Sequence, residues 1–206
     1  MTAVLEAGCR PVILCLSTEA LDAGHGLVPA AVRVMEAPAS ILESLDLALS
    51  HVDSDTTVVH DIAHPFATAT LVRAVADAAS ASGAAAAAVP MDETLKLTEA
   101  PEPAGARLVS GTVDRSGLWK VQSPHAFRTQ GLRALCRAEP LGGETTVGDL
   151  VRRAPGSCTI VPGERANVKL STEPDLELAA AIATTMGASA SGRGRAHVGH
   201  GGAESR

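Results

Sequence analysis

Hydrophobic and polar positions follow two periods along the chain, one typical of buried strands and the other of amphipathic helices. The short apolar runs "PVILCLST" (Pro11 to Thr18) and "TTVV" (Thr56 to Val59) are bounded by proline and polar residues, which predicts buried strands. Between them, apolar residues recur at helical spacing from Ile41 to Val52, behind a Ser40 that suits a helix N-cap. The pattern therefore predicts strands that alternate with helices.

The same alternation extends over most of the chain. The further predicted elements are a helix end at Gly8, a strand around Ala31 to Met35, a helix from Thr68 to Ser82, a strand over 83–90, extended arms over 91–124, a helix from His125 to Ala138, a strand after 156 and a closing helix from about Glu173. Alanine favours helices, but Gly83 and Pro90 bound the run "GAAAAAVP", so a strand is predicted there. This order predicts an α/β fold with a doubly wound, mostly parallel sheet covered on both faces.

One domain over 1–186 accounts for nearly all of the 206 residues. From Gly187 to the end the chain is rich in glycine, serine, arginine and histidine, and we expect this tail to be disordered.

Composition and charge exclude several classes of function. A formal net charge of -6 argues against a general nucleic-acid binder or a membrane-surface protein, and one Trp, two Phe and no Tyr offer few stacking platforms for bases. No apolar run approaches the roughly 20 residues of a membrane span, and the start lacks the features of a signal peptide. A cytoplasmic protein is expected. The cysteines lie far apart and are predicted to be buried free thiols: Cys9, Cys15, Cys136 and Cys158.

Two polar segments directly follow predicted strands. Asp61 in "VVHDIAHPF" stands where a buried strand ends, and open α/β sheets bind ligands beyond the carboxyl ends of their strands. In "VPMDETLKLT", Asp92, Glu93, Thr94 and Lys96 bring acceptors and a cation together. Taken singly, the first segment also fits a plain polar turn, and the second fits a solvated charged loop.

A third polar segment, "VPGERANVKLSTEPDL", has the alternation of an extended chain. Asn167 and Lys169 alternate with apolar residues, so both side chains are predicted to point to one face. A lysine beside Ser171 and Thr172 suits a phosphate group, which it meets as a point charge. An amphipathic edge strand would show the same pattern.

The order and spacing of these segments resemble the 2-C-methyl-D-erythritol 4-phosphate cytidylyltransferase family of isoprenoid biosynthesis. "VVHDIAHP" resembles the LVHDAARP motif of that family, and "VPMDETLK" resembles its VPVxDTxK segment. "RSGLWKVQSPHAF" is similar to the segment R..LW..QTPQ.F, and "GERANVKLSTEPDL" is similar to the signature G...NIKIT..EDL. The resemblance runs from about residue 3 to residue 186.

This resemblance implies a Rossmann-like nucleotidyltransferase that uses Mg²⁺. It implies transfer of CMP from CTP to methylerythritol phosphate with release of pyrophosphate. Asp61 would lie near the metal and the nucleotide ribose, and Lys169 would stabilise the phosphates during transfer. The residues implied to bind substrate are Thr94, Lys96, Arg128, Asn167 and Ser171. The arm, at about 97–123, would cross to a second subunit and form a homodimer.

The chain also departs from the family pattern. The family opens with a Gly-rich loop, LAAGxGxRMG…PK, that cradles the triphosphate, and no counterpart follows "AVLEAGCRPVIL". The chain is therefore expected to begin about one βα unit late, roughly 30 to 40 residues, with a true start upstream of Met1 or as a diverged relative. His64 replaces an arginine and His125 replaces a glutamine, which removes groups that bind or orient phosphate.

These departures predict that catalysis is weakened or lost. Three functions stay open on the sequence: an active cytidylyltransferase, a non-catalytic relative that binds a sugar phosphate or dimerises with a partner, and a transferase for another polyol phosphate such as ribitol phosphate.

Overall fold

The computed structural model describes residues 1–99, 107–138 and 146–193, and within these ranges it leaves the side chains of 23–26 and 188–193 undescribed. The helices are α1 (Thr2–Glu6), α2 (Thr18–Leu27), α3 (Ile41–Leu49), α4 (Ala69–Ser82), α5 (Thr129–Cys136), α6 (Val147–Arg153) and α7 (Glu173–Arg193). The strands are β1 (Val12–Leu16), β2 (Val32–Glu36), β3 (Thr56–Val59), β4 (Gly83–Pro90), β5 (Lys96–Thr98), β6 (Val109–Thr112), β7 (Trp119–Arg128) and β8 (Ser157–Pro162).

The strands form one mixed sheet of four strands and two separate pairs. The order in the main sheet is β3-β7-β4-β8, in which β7 runs antiparallel to both of its neighbours and β8 runs parallel to β4. β1 and β2 form a parallel pair, and β5 and β6 form the antiparallel pair of the arm. The predicted α/β class is confirmed, and the open sheet is mixed because β7 is inserted against the direction of β3, β4 and β8.

The core lies on both faces of the alanine-rich strand β4, whose residues Ala84 to Ala88 are at most 1% exposed. Leu71, Val75 and Ala79 of α4 pack on one face with Ala85 and Ala87. On the other face, Ala84 and Ala86 pack with Phe127 and with apolar residues of α3, α5 and α6. Hydrogen bonds to β7 and β8 on its two edges outweigh the helical preference of alanine, so the predicted strand is confirmed.

Two boundaries in the structure differ from the predicted ones, and the first prediction is wrong. The helix predicted from His125 begins only at Thr129, because His125 to Arg128 complete β7 and pair with both β3 and β4. The other boundary is that of the tail: the alanine-rich α7 continues past Gly187 as far as Arg193, and because residues 194–206 lie outside the described part of the chain, the predicted disorder of the tail stays a prediction.

The cysteines match their prediction only in part. Cys9, Cys15 and Cys136 are free and half-buried, but Cys158 is free and exposed because it lies on β8, an edge strand of the main sheet. Within the described ranges, every helix is too short or too polar to span a bilayer.

Gly83 allows the chain to pass from α4 into β4 without a connecting loop. It ends the helix at a φ of +110°, a conformation that side chains with a Cβ rarely adopt. A Cβ built there would lie 2.5 Å from the backbone oxygen of Pro155, at the start of the neighbouring β8. The residue is therefore restricted both by its dihedral angle and by the close approach of a second chain segment.

We expect Gly83→Ala to lower the free energy of unfolding by about 2–4 kcal/mol, because an alanine there combines left-handed strain with overpacking. Chemical denaturation of the variant measures this loss. Gly117→Ala is the matched control, since a Cβ at Gly117 meets nothing within 4 Å. A Gly83→Ala protein as stable as the control would contradict the prediction.

Candidate functional site

Asp61 directly follows the loop residue His60 at the carboxyl end of β3, where three chain segments meet. Its backbone N–H donates to the hydroxyl of Ser123 over 2.8 Å, and its Oδ1 accepts from the backbone N–H of Ala63 over 2.9 Å. Nζ of Lys169 lies 3.4 Å from the other carboxylate oxygen, Oδ2. The two side chains are 42% and 57% exposed, so this carboxylate–ammonium pair is open to a ligand from solvent.

The segment that carries Lys169 is irregular, so the predicted alternative of an edge strand is wrong. Between β8 and α7 the chain makes turns and single contacts instead of a ladder, including a bond of 2.8 Å from the Leu170 N–H to the backbone oxygen of Ala63. Asn167 is fully buried and donates its side-chain amide to the backbone oxygen of Ser123 over 2.7 Å. Asn167 thus braces the segment from beneath, while Lys169 reaches the surface.

A bulge in β7 presents Ser123 to the site. Ala86 pairs with His125 and Ala88 pairs with Val121, so two steps along β4 correspond to four along β7. The extra residues leave the ladder, and the Ser123 hydroxyl meets both the Asp61 N–H and, over 3.1 Å, Nδ1 of His60. Bulges commonly re-aim side chains beside active sites.

Three histidines lie beneath the pair. Burial lowers the pKa of His60 and of His125 to about 4, and burial also lowers the pKa of His64, whose Nδ1 is 3.9 Å from Asp61 Oδ2. All three rings are therefore neutral at neutral pH. Their positions next to Asp61 add hydrogen-bonding groups but no positive charge.

The carboxylate itself is ionised at neutral pH. Burial alone would raise the pKa of Asp61, but the Ala63 N–H bond and the nearby Lys169 ammonium outweigh it and hold the pKa below its usual value. The site therefore offers one carboxylate and one ammonium group side by side.

The second polar segment contacts the third, not Asp61. Asp92 accepts from Nη1 of Arg165 over 2.6 Å, which joins the loop after β4 to the segment that carries Lys169. Lys96 lies on the arm and donates to the Thr112 hydroxyl over 2.7 Å, and Thr94 is exposed in the loop before it. Ser171 is exposed, and its backbone N–H donates a hydrogen bond of 2.8 Å to the carboxylate of Asp175, in the first turn of α7.

Arg128 is not brought to the site. Thr56 pairs with Arg128 and Val59 pairs with His125, so Arg128 lies beside the beginning of β3, whereas Asp61 lies beyond its end. The guanidinium donates to the backbone oxygens of Ser80 and Ala81, the last turn of α4, where it caps the helix. An open groove of about 440 Å³ lies at this far end of the sheet, beside Arg128, and not at Asp61.

Comparison with known proteins identifies the family of this chain. Residues 2–185 match the 2-C-methyl-D-erythritol 4-phosphate cytidylyltransferase family. The chain belongs to this family.

Individual relatives of the cytidylyltransferase family support the assignment. The enzyme named 2-C-methyl-D-erythritol 4-phosphate cytidylyltransferase from Bacillus licheniformis is 38% identical over 62% of this chain and 54% of its own length. The bifunctional enzyme IspD/IspF of Rhodobacter capsulatus is 33% identical over 88% of this chain and 47% of its own. The chain therefore spans about half the length of these curated relatives.

A solved structure shows the same fold. The crystal structure of the cytidylyltransferase from Thermus thermophilus superposes with a TM-score of 0.70 at 29% identity, and the match covers 89% of this chain and 88% of that one. The α/β fold of this chain is thus the fold of that cytidylyltransferase.

The cytidylyltransferase family implies a divalent metal, and the residues present are compatible with one. In the described part of the chain, no group of three or more His, Cys, Asp or Glu is arranged to hold a metal by itself. Mg²⁺ needs no such group, because it commonly binds one or two carboxylates and completes its shell with substrate phosphates and water. The half-exposed, ionised Asp61 is a carboxylate of the kind that such an ion binds.

The buried His125 predicts a pH-dependent stability. Its pKa, lowered to about 4 by burial and by His64 against the opposing charge of Asp61, lies below the ordinary 6.5, so the unfolded chain binds a proton that the folded chain does not. The contribution of neutral His125 to the free energy of unfolding is then fully present above pH 6.5 and is lost as the pH falls towards 4. The shift in pKa from 6.5 to about 4 corresponds to a contribution of about 3 kcal/mol.

We expect His125→Gln to flatten the fall in the free energy of unfolding between pH 6.5 and pH 4, as urea denaturation at each pH would show. His51→Gln is the control, because His51 is exposed. Equal slopes for His125→Gln and the wild-type protein would contradict the assignment.

Proposed function

We propose that this chain transfers CMP from CTP to 2-C-methyl-D-erythritol 4-phosphate. A phosphate oxygen of the acceptor forms a bond to the α-phosphorus of CTP, the bond from that phosphorus to the bridging oxygen breaks, and pyrophosphate leaves. The observation that carries the proposal is the exposed pair of Asp61 and Lys169, 3.4 Å apart at the carboxyl end of β3 in a chain of the cytidylyltransferase family.

In the proposed transfer the protein forms no covalent bond to the substrates, since such reactions depend on positioning the reacting groups and on neutralising their charge. Lys169 is suited to stabilise the phosphates as negative charge moves towards the leaving pyrophosphate. The N–H of Ala63 and the hydroxyl of Ser123 hold Asp61 in place. Among the remaining predicted residues, Thr94, Lys96 and Ser171 are exposed and available to substrate, whereas Asn167 braces Lys169 from below.

Mg²⁺ is the proposed cofactor, with Asp61 as its protein ligand. When bound, such an ion neutralises phosphate charge and orients the groups that react. The lowered pKa of Asp61 suits this role because the carboxylate is already deprotonated at neutral pH.

A homodimer formed through the arm is also proposed. Large apolar side chains of the arm are exposed, including Leu97 at 55% and Val109 at 61% on its paired strands. Exposed apolar groups on a pair of strands outside the main sheet are suited to burial against a second copy. A cytoplasmic location remains the prediction made from the sequence.

A second candidate function is non-catalytic binding of a sugar phosphate. The observation that favours it is the burial of His64 and His125, which are neutral and stand where the family has an arginine and a glutamine. A protein that lacks these groups could retain a phosphate near Lys169 and still fail to activate it.

The deciding measurement is pyrophosphate release by the 206-residue chain with CTP, Mg²⁺ and methylerythritol phosphate. We expect Asp61→Ala and Lys169→Ala each to lower kcat/KM by about 100-fold or more, because each removes a charge that faces the reacting phosphates. Ribitol phosphate in parallel reactions tests whether another polyol phosphate is preferred.

Asp77→Ala on the exposed side of α4 is the matched control and should behave as the wild type does. A folded wild-type chain that binds methylerythritol phosphate in calorimetry but releases no pyrophosphate would replace transfer by the binding function.

For the arm, we expect Val109→Glu to shift the protein from dimer to monomer in sedimentation velocity, because a charge would have to be buried in an apolar contact. Leu27→Glu, at an apolar residue that is 83% exposed on α2, is the control that should leave the dimer intact. A wild-type protein that sediments as a monomer at every concentration would contradict the proposed dimer.

A further inference from the structure

The position of Lys169 is not fixed by secondary structure. The chain from Gly163 to Thr172 lies between β8 and α7 and pairs with no strand of the described sheet. Irregular segments hold a position only through specific contacts with the rigid elements around them. The contacts that anchor this segment therefore decide where the ammonium group stands relative to Asp61.

Gln122 supplies the largest set of these contacts. Its Nε2 donates to the backbone oxygens of Glu164 and Asn167, each over 2.9 Å, and its Oε1 accepts from the backbone N–H of Glu164 over 3.1 Å. The residue is 5% exposed, so water does not compete for these bonds. Both amide hydrogens and the carbonyl are used, and the last bonded residue is two positions before Lys169.

The surroundings of Gln122 are shaped to receive it. A Cβ added to Gly163 would collide with its Oε1, so only glycine leaves room for the amide. The side chain of Glu164 turns the other way, where its carboxylate accepts from the hydroxyl and the backbone N–H of Thr68, the N-cap of α4. The segment is thus fastened to β7 through Gln122 and to α4 through Glu164.

We propose that Gln122 is a positioning residue, which acts through the segment 163–169 to hold Lys169 against Asp61. Its catalytic consequence rests on the function proposed above. The bulge in β7 releases Gln122 from the ladder and aims it at this segment, as it also aims the neighbouring Ser123 at Asp61. The bulge in β7 therefore helps to position both Asp61 and the segment that carries Lys169.

The contact needs a side chain that donates two hydrogen bonds and accepts one, which the amide of glutamine does. Methionine has similar length and flexibility, but it has no donor for the two carbonyls, and its thioether sulfur is only a weak acceptor for the N–H. Glutamate keeps the acceptor for the Glu164 N–H but loses both donors and faces two carbonyl oxygens. Gln122→Met therefore removes both donated bonds and replaces the third by a weak contact, and Gln122→Glu removes two bonds.

The first test does not depend on activity. In hydrogen–deuterium exchange, we expect Gln122→Met to speed exchange at the amides of Asn167 and Leu170 by about tenfold or more, with the buried core of α4 unchanged. In the wild type these two amides donate to the backbone oxygens of Glu164 and Ala63. Gln130→Met, at an exposed glutamine of α5, is the matched control. If exchange near Lys169 stays as slow as in the control, the proposal is overturned.

The second test is a double-mutant cycle on pyrophosphate release. We expect Gln122→Met to lower kcat/KM by about 10- to 100-fold in the wild-type background, because a small misplacement of a catalytic group has that cost. In a Lys169→Ala background it should cause no further loss, since the group that it positions is gone. An equal loss in both backgrounds would mean a general structural role and would overturn the proposal.

The two tests separate the possible failures. A wild-type chain without transfer activity contradicts the proposed function, while the exchange measurement still decides whether Gln122 holds the segment. If Gln122→Met does not fold, Gln122→Asn, which keeps the amide but is one carbon too short to reach the same partners, enters both measurements in its place, with the same expected directions.

Discussion

The candidate site depends on one interruption of the ladder between β4 and β7. Two steps of β4 face four of β7, so the extra residues must leave the sheet and find other partners for their polar groups. Gln122 and Ser123 find those partners in the segment of Lys169 and in the backbone of Asp61. The interruption is tolerated because β4 is buried between β7 and β8, and because pairing resumes on either side of the bulge. A rigid sheet therefore carries an irregular site, which is the usual division between scaffold and function.

Local signals in the sequence are sufficient for several elements and insufficient for others. Gly83 and Pro90 bound β4, and a capping box of Ser40 and Glu43 starts α3 where the sequence predicts it. The end of β7 could not be predicted locally. The residues at 125–128 fit a helix by pattern, and they become a strand because distant segments, β3 and β4, supply hydrogen bonds on both edges.

The same contrast applies to the site. Asp61 and Lys169 are predicted from segments that resemble motifs of the family, and the fold brings these two side chains to within 3.4 Å of each other. Arg128 directly follows the segment "RSGLWKVQSPHAF" in the sequence. It lies at the opposite end of the sheet from Asp61, because β7 runs antiparallel to β3. For Gln122 the sequence offers Pro124 as a signal, because a proline inside a strand is confined to its first position, to an edge strand or to a bulge. That signal locates the irregularity but not its partners, which lie 42 and 45 residues away along the chain.

The charge balance explains why the position of Lys169 has such weight. Burial leaves the three histidines beside Asp61 neutral, so they add no positive charge to balance that of the triphosphate that we propose as substrate. In the described part of the chain, the cation that contacts Asp61 is Lys169. An ammonium group acts as a point charge, and its interaction with phosphate falls with distance in a solvent-exposed cleft. The lysine side chain is long and flexible, so it does not fix the position of its own ammonium group. The hydrogen bonds of Gln122 and Asn167 instead fix the backbone segment from which Lys169 extends.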